Sequence, residues 1–233
     1  MKTKMILSID WDYFYPDSSL YDWGANEENS TFFEIIWQFR TTDMNLLTRK
    51  SMLDEYHPTI PTNFWSIIKN KPNLYVADSH SDIWPFLNDS IVYNLDAHHD
   101  CGYSPTKNIN CGNWAHHGLS QNKICQLHLF YPTWRKNSSE LSPLSSPTSI
   151  NYQLPKSLDY DTVFICRSSC WTPPWYDYTF QQFITSSGLN HHTPDNIWKC
   201  RQPDSISKAS SLRDELSNLH HNLINSKKNK SNI

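Results

Sequence analysis

Short apolar runs that end in acids or imidazoles recur along this chain. Met5 to Ile9 leads into Asp10-Trp11-Asp12, Leu74 to Ala77 into Asp78-Ser79-His80, and Ile91 to Leu95 into Asp96-Ala97-His98-His99-Asp100. Ile124 to Tyr131, which alternates, and Thr162 to Cys166 are further strand-like stretches. Such runs, bounded by polar residues and rich in Ile, Leu and Val, predict buried strands of a parallel sheet. Helical spacing separates them. Thr31-Phe32-Phe33-Glu34 has capping-box spacing and predicts a helix through Phe39. Asn63 to Asn70 predicts a second helix ending before Pro72, Tyr178 to Thr185 a third stopped by Gly188, and Ser211 to Asn225 a terminal one. Tyr13 to Asn29 reads as an aromatic and acidic loop, and Thr133 to Asp159, rich in Ser, Pro and Asn, as a long surface loop. The pattern predicts an α/β fold, three-layer α/β/α around a mainly parallel sheet. It forms one domain over residues 1–225, with a polar, basic tail at 226–233.

Composition narrows the function. A length of 233 residues suits one α/β domain with a well-buried core. Only 38% of residues are apolar but 14% are aromatic, including 10 Trp, so the core uses fewer and larger side chains. A net charge of -3 gives no electrostatic case for nucleic acid or an anionic membrane. No apolar segment approaches the roughly 18 residues of a membrane span, and Met5 to Ile9 is too short for a signal-peptide core. The six cysteines form no C-x-x-C pair, which predicts reduced thiols and a cytoplasmic protein.

The chemistry lies at the strand ends. On a strand, Asp96 and His98 would share a face, with Asp100 just beyond. Parallel strands place their C-terminal ends on one edge, where open α/β sheets bind ligands. Asp10, Asp12, His80, Asp96, His98 and Asp100 would then meet there: four carboxylates and two imidazoles. Donors of this kind without a thiol suit Mn²⁺ better than a closed zinc site. Six such side chains can hold two ions about 3.5–4 Å apart. Without cations, so many carboxylates at one buried place would repel strongly.

These residues also carry a resemblance. Asp96-Ala97-His98-His99-Asp100 matches the D-A-H-x-D motif of the arginase, or ureohydrolase, superfamily. Ser8-Ile9-Asp10-Trp11-Asp12 is similar to its S-x-D-x-D motif, and Asp78-Ser79-His80 looks like a degenerate G-G-D-H. In arginases S-x-D-x-D follows D-A-H-x-D, whereas in this chain it precedes it. The order resembles a circularly permuted branch that includes peptide arginases, and the likeness covers roughly residues 5–120. The resemblance implies an arginase-like fold and two Mn²⁺, one held by His80, Asp96, Asp100 and Asp10, the other by Asp96, His98, Asp10 and Asp12, with Asp10 and Asp96 bridging. It implies hydrolysis of peptidyl arginine to peptidyl ornithine and urea, in a ribosomally made precursor peptide.

Arginases carry G-N-x-H-G after D-A-H-x-D. Cys111-Gly112-Asn113-Trp114-Ala115-His116-His117-Gly118 is similar, with one extra residue before the imidazoles. The resemblance implies that Asn113 binds substrate and that His116 or His117, with His116 slightly favoured, carries protons. A guanidinium also calls for a carboxylate partner. Glu27 and Glu28 are the candidates, with Asp177 a weaker one. Trp171 and Trp175 either frame a substrate groove or belong to the core. His191/His192 and His220/His221 read as surface residues.

Other readings compete. Asp10-Trp11-Asp12 suits a haloacid-dehalogenase-type phosphatase, which leaves His80, Asp96, His98 and Asp100 without a role. A calcineurin-like phosphoesterase would want His where Trp114 stands. A deacetylase would use one zinc, a small-molecule ureohydrolase would take free arginine or agmatine, and a metal-stabilised binding module would need no open cluster.

Overall fold

The computed structural model describes residues 3–16, 37, 56–103, 106–138 and 140–201. Seven strands form one all-parallel sheet: β1 (Lys4–Asp10), β2 (Asn73–Ala77), β3 (Ser90–Leu95), β4 (Ile124–Phe130), β5 (Ser149–Asn151), β6 (Thr162–Cys166) and β7 (His191–His192), in the spatial order β5-β4-β3-β1-β6-β2-β7. The expected runs form the middle of it. β6, Thr-Val-Phe-Ile-Cys, is buried at every position, as a parallel strand covered on both faces must be.

Alternation divides the core in two. Leu7, Ile9, Leu74, Val76, Leu95, Val163 and Ile165 face one way. They pack against Trp11, Phe14, Phe64 and helix α2 (Asp177–Ser186), which contributes Phe180, Phe183 and Ile184. Ile6, Val92, Leu127, Phe164 and Cys166 face the other way. They meet helix α1 (Trp114–Ser120) and the 3₁₀ turn His80–Phe86, through Trp114, Ala115 and Ile83. α1 comes close because Gly118 has no side chain: a Cβ there would stand 2.5 Å from Ile124 Cδ1.

The chain leaves β1 towards β2 on one side of the sheet and leaves β3 towards β4 on the other. The strand order therefore reverses between β1 and β3, and such a switch point opens a crevice at the carboxyl ends of the strands. Ser8 stands in register with Asn94, and Ile9 with Leu95, so both chains reach that crevice at the same height.

Several expectations change. Asn63–Asn70 is not a helix but a single 3₁₀ turn, Phe64–Ile67, entered through Asn63 in the left-handed region (φ 58°). The 133–159 segment holds a 3₁₀ turn, Thr133–Asn137, and the edge strand β5. His191 and His192 form edge strand β7, with His192 exposed at the surface and His191 half-buried. A one-turn helix, α3 (Asp195–Trp198), ends the described fold. The predicted helix at 31–39 lies outside the described residues except for Trp37, which is helical and buried. The helix at 211–225 and the tail at 226–233 lie outside them entirely. Among the described residues no helix is long and apolar enough to cross a membrane.

Candidate metal centre

Each strand end delivers its side chains by local hydrogen bonding. Asp10 ends β1 on the same face as Ser8. Its Oδ1 accepts from the Asp12 N–H at 3.0 Å and so caps the 3₁₀ turn Trp11–Phe14. That turn is seated by Trp11 among Phe14, Phe180 and Phe183, at centroid distances of 5.1–5.2 Å. Asp12 Oδ1 in turn accepts from the Ala97 N–H at 3.2 Å, tying the two loops together.

β3 stops at Leu95, so Asp96 and His98 do not share a strand face as alternation suggested. Asp96 instead folds the chain back: its Oδ1 accepts from the His98 N–H at 2.8 Å and its Oδ2 from the Asn94 amide at 3.1 Å. Asp100 follows with a left-handed φ of 50°, and its Oδ2 accepts from Trp114 Nε1 at 2.6 Å.

His80 opens the 3₁₀ turn after β2, capped by Ser79. Its Nε2 bonds Ser8 Oγ at 2.7 Å, and Trp114 and Phe164 flank the ring at 4.8 and 6.0 Å. Nδ1 is thereby turned to the carboxylates, 3.3 Å from Asp10, 3.2 Å from Asp96 and 3.0 Å from Asp100. His98 Nδ1 lies 2.9 Å from Asp12 Oδ2 and 3.7 Å from Asp96 Oδ1. His98 Nε2 is buried without a hydrogen bond. Two donor groups result, Asp10–His80–Asp96 and Asp12–Asp96–His98, each with ligand atoms within 4.8 Å of one another. Asp96 belongs to both.

The charge is held by protons where cations would serve. Burial, then Asp12 and Asp96, push the Asp10 carboxyl up to about 7. Burial, then Asp100 and Asp12, push Asp96 up to about 8. Burial raises Asp100 as well. Burial works to lower both imidazoles, yet the carboxylates win: Asp10, Asp100 and Asp96 hold His80 well above its ordinary value, and Asp12, then Asp96 and Asp100, carry His98 up to about 10. Burial would raise Asp12, but His98 beside it keeps it low. A divalent cation can replace those protons, and carboxylate–imidazole donors suit a hard or borderline ion.

The remaining predicted residues divide. Asn113 is buried and committed to its own loop: Nδ2 donates to Thr106 Oγ1 (2.7 Å) and Asn108 O (2.9 Å), and Oδ1 accepts from the Asn110 N–H (2.7 Å). His116 and His117 lie on α1 with rings 5.3 Å apart. His116 Nδ1 contacts Ser145 Oγ at 2.8 Å and His117 Nε2 contacts Thr106 O at 3.2 Å. Glu27 and Glu28 lie outside the described residues. Asp177 already holds a guanidinium, that of Arg201, through both carboxylate oxygens. Trp171 packs on His98 at 4.9 Å, whereas Trp175 packs on Trp37 at 5.6 Å, away from the cluster.

Sequence reasoning passed over three supports. Ser8 orients His80, although only its place in the motif pointed to it. Trp114, read merely as a departure from a motif, holds Asp100. His99 and Glu140 brace the loop from behind. His99 Nε2 meets Leu141 O at 2.9 Å, while Glu140 accepts from the His99 N–H (3.1 Å), Tyr131 OH (2.8 Å) and Tyr103 OH. No protein-family model matches the chain, and no curated protein or solved structure matches it.

Proposed function

We propose that this chain is a dinuclear manganese hydrolase that converts peptidyl arginine to peptidyl ornithine and urea. The observation that carries the reading is the pair of donor groups sharing Asp96 at the switch point of a parallel sheet. The likeness of residues 8–12 and 96–100 to arginase motifs supports it.

One ion would be held by Asp10, His80, Asp96 and Asp100, the other by Asp10, Asp12, Asp96 and His98. Bound Mn²⁺ lowers the pKa of water and neutralises the carboxylates. The protein's own groups do the rest. Ser8 and Trp114 fix His80 and Asp100, so the donors need little rearrangement on binding. The Trp171 ring beside His98 offers a flat, electron-rich face to an arriving guanidinium. His116 or His117 carries the proton to the departing amine, a task suited to an imidazole. The protein's acidic balance favours a cationic side chain as substrate.

The test is mass spectrometry of arginine-bearing peptides after incubation with Mn²⁺-loaded protein, with urea assayed in parallel. Conversion of arginine to ornithine with one urea per event is expected. Turnover of free arginine or agmatine in preference to every peptide would move the substrate assignment, and phosphate release from phosphomonoesters without urea would overturn the chemistry.

A further inference from the structure

Among the described residues, four large hydrophobic side chains are prominently exposed, and three of them fall in one short stretch. Leu141 is 68% exposed, Leu144 46% and Ile150 51%. Exposed aliphatic groups concentrated in ten residues of chain mark a contact surface more often than scattered ones do. This stretch is bonded directly to the loop that bears the metal ligands. Leu141 O meets His99 Nε2 at 2.9 Å, the Leu144 N–H donates to Cys101 O at 3.0 Å, and Ser145 Oγ contacts His116. It then continues into β5, the edge of the sheet, which pairs only with β4 among the described residues. An unpaired edge flanked by aliphatic side chains can accept an added strand.

The charges around it have one sign. Arg135 and Lys136 close the 3₁₀ turn before it; Arg135 is committed to Ala97 O at 2.7 Å, whereas Lys136 is exposed, its Nζ 5.2 Å above the Tyr152 ring beyond β5. Glu140 is the sole acid between residues 133 and 152, and its carboxylate is taken up by Tyr103, Tyr131 and the His99 N–H. Pro143 and Pro147 fix φ on either side of Leu144, so the surface is set before anything binds.

We infer that the edge formed by Leu141, Leu144 and Ile150, with Lys136 beside it, docks an extended aliphatic and acidic segment of the peptide substrate, lying along β5 while a separate arginine of the same peptide reaches the metal centre. The inference rests on the peptide reading proposed above. It separates recognition from reaction, since the docked segment needs no arginine and binding needs no metal.

The test is therefore made in EDTA, with a fluorescein-labelled peptide of alternating Leu and Glu that contains no arginine, followed by fluorescence polarisation. Wild-type protein binds it saturably, and a Leu/Lys peptide of equal length binds about tenfold more weakly or worse. The double variant Leu141→Ser/Ile150→Ser loses about tenfold or more in affinity, the scale of removing two apolar anchors. Lys136→Glu weakens binding in a way that added salt erases in the wild type. Both variants change exposed side chains, and circular dichroism melts confirm that they fold. No saturable binding by the wild type, or equal binding by the double variant, overturns the inference. So does a wild-type dimer, seen by sedimentation, that the double variant dissolves, because the patch would then belong to self-association. Retention on phospholipid vesicles that the double variant loses overturns it too. Peptide binding that meets these expectations, while separate arginine-bearing peptides yield no urea in Mn²⁺, leaves the docking surface standing and removes the hydrolase reading instead.

Discussion

Replacing Asp96 by Asn should stabilise the metal-free protein while abolishing its response to metal. Asp96 is 1% exposed and faces Asp10, Asp12 and Asp100, and its carboxyl is pushed from 3.8 to about 8, first by burial. At ~1.4 kcal/mol for each tenfold change in proton affinity, keeping that group ionised costs a ceiling of ~6 kcal/mol. The opposing pull of His80, 3.2 Å away, is already within that figure, and relaxation around a buried charge takes up much of the ceiling. The net expectation is about 1–3 kcal/mol of added stability, the opposite sign to most buried substitutions. Geometry permits the change. The new side chain keeps an oxygen for the His98 N–H, and Asn94, whose Oδ1 is buried without a hydrogen bond, can turn its amide to accept from the introduced NH₂. The sign with pH follows from the raised pKa. The cost of Asp96 is absent below the unfolded value of 3.8, grows as pH rises, and is complete above about 8. Thermal melts in EDTA at pH 8 should therefore show the variant melting roughly 2–10 °C above the wild type, with the gap closing towards pH 4. In excess Mn²⁺ only the wild type should shift upward. A variant that melts lower than the wild type in EDTA at pH 8, or that still responds to Mn²⁺, would refute the reasoning.

Three further substitutions probe the frame around the cluster. Arg167→Met removes the cation 2.7 Å from Asp78, while Asp177 keeps Arg201, and should cost about 3–5 kcal/mol in urea unfolding; an unchanged midpoint would show the Asp78–Arg167 pair to be idle. Trp114→Phe keeps the ring against His80 but removes the 2.6 Å bond to Asp100, and should weaken Mn²⁺ binding by about 10–100-fold in equilibrium dialysis; unaltered affinity would discount that support. Gly118→Ala sets a Cβ against Ile124 Cδ1 and should cost about 1–3 kcal/mol in the same unfolding assay, whereas a neutral result would mean that α1 can withdraw.

The parallel sheet was legible because five of its strands are largely apolar, and three of them, β1, β2 and β3, lead into acids and imidazoles. β5 and β7 were not, since Ser149-Ile150-Asn151 and His191-His192 become strands only by pairing with β4 and β2. The Asn63–Asn70 pattern misled because Phe64, Trp65 and Ile67, with Ser66 between them, fit a single 3₁₀ turn packed against α2 as well as a helix. For the cluster, residue types and spacing pointed to the five residues of the two donor groups and to Asp100 beside His80, although the strand argument that brought Asp96 and His98 together was replaced by a side-chain-capped turn. Asn113 shows where motif reading ends: its position matched, but its amide is spent on Thr106, Asn108 and Asn110, contacts that no linear pattern encodes. The same holds for Glu140, which lies 41 residues from the His99 N–H that it accepts.

The most direct measurement is the amount of Mn²⁺ bound per chain, by elemental analysis after equilibrium dialysis against saturating metal, for the wild type and for Asp12→Asn. Two donor groups joined by Asp96 predict two ions per wild-type chain, and one in the variant, because Asp12 belongs only to the group with His98. One ion or none in the wild type would contradict a two-ion centre.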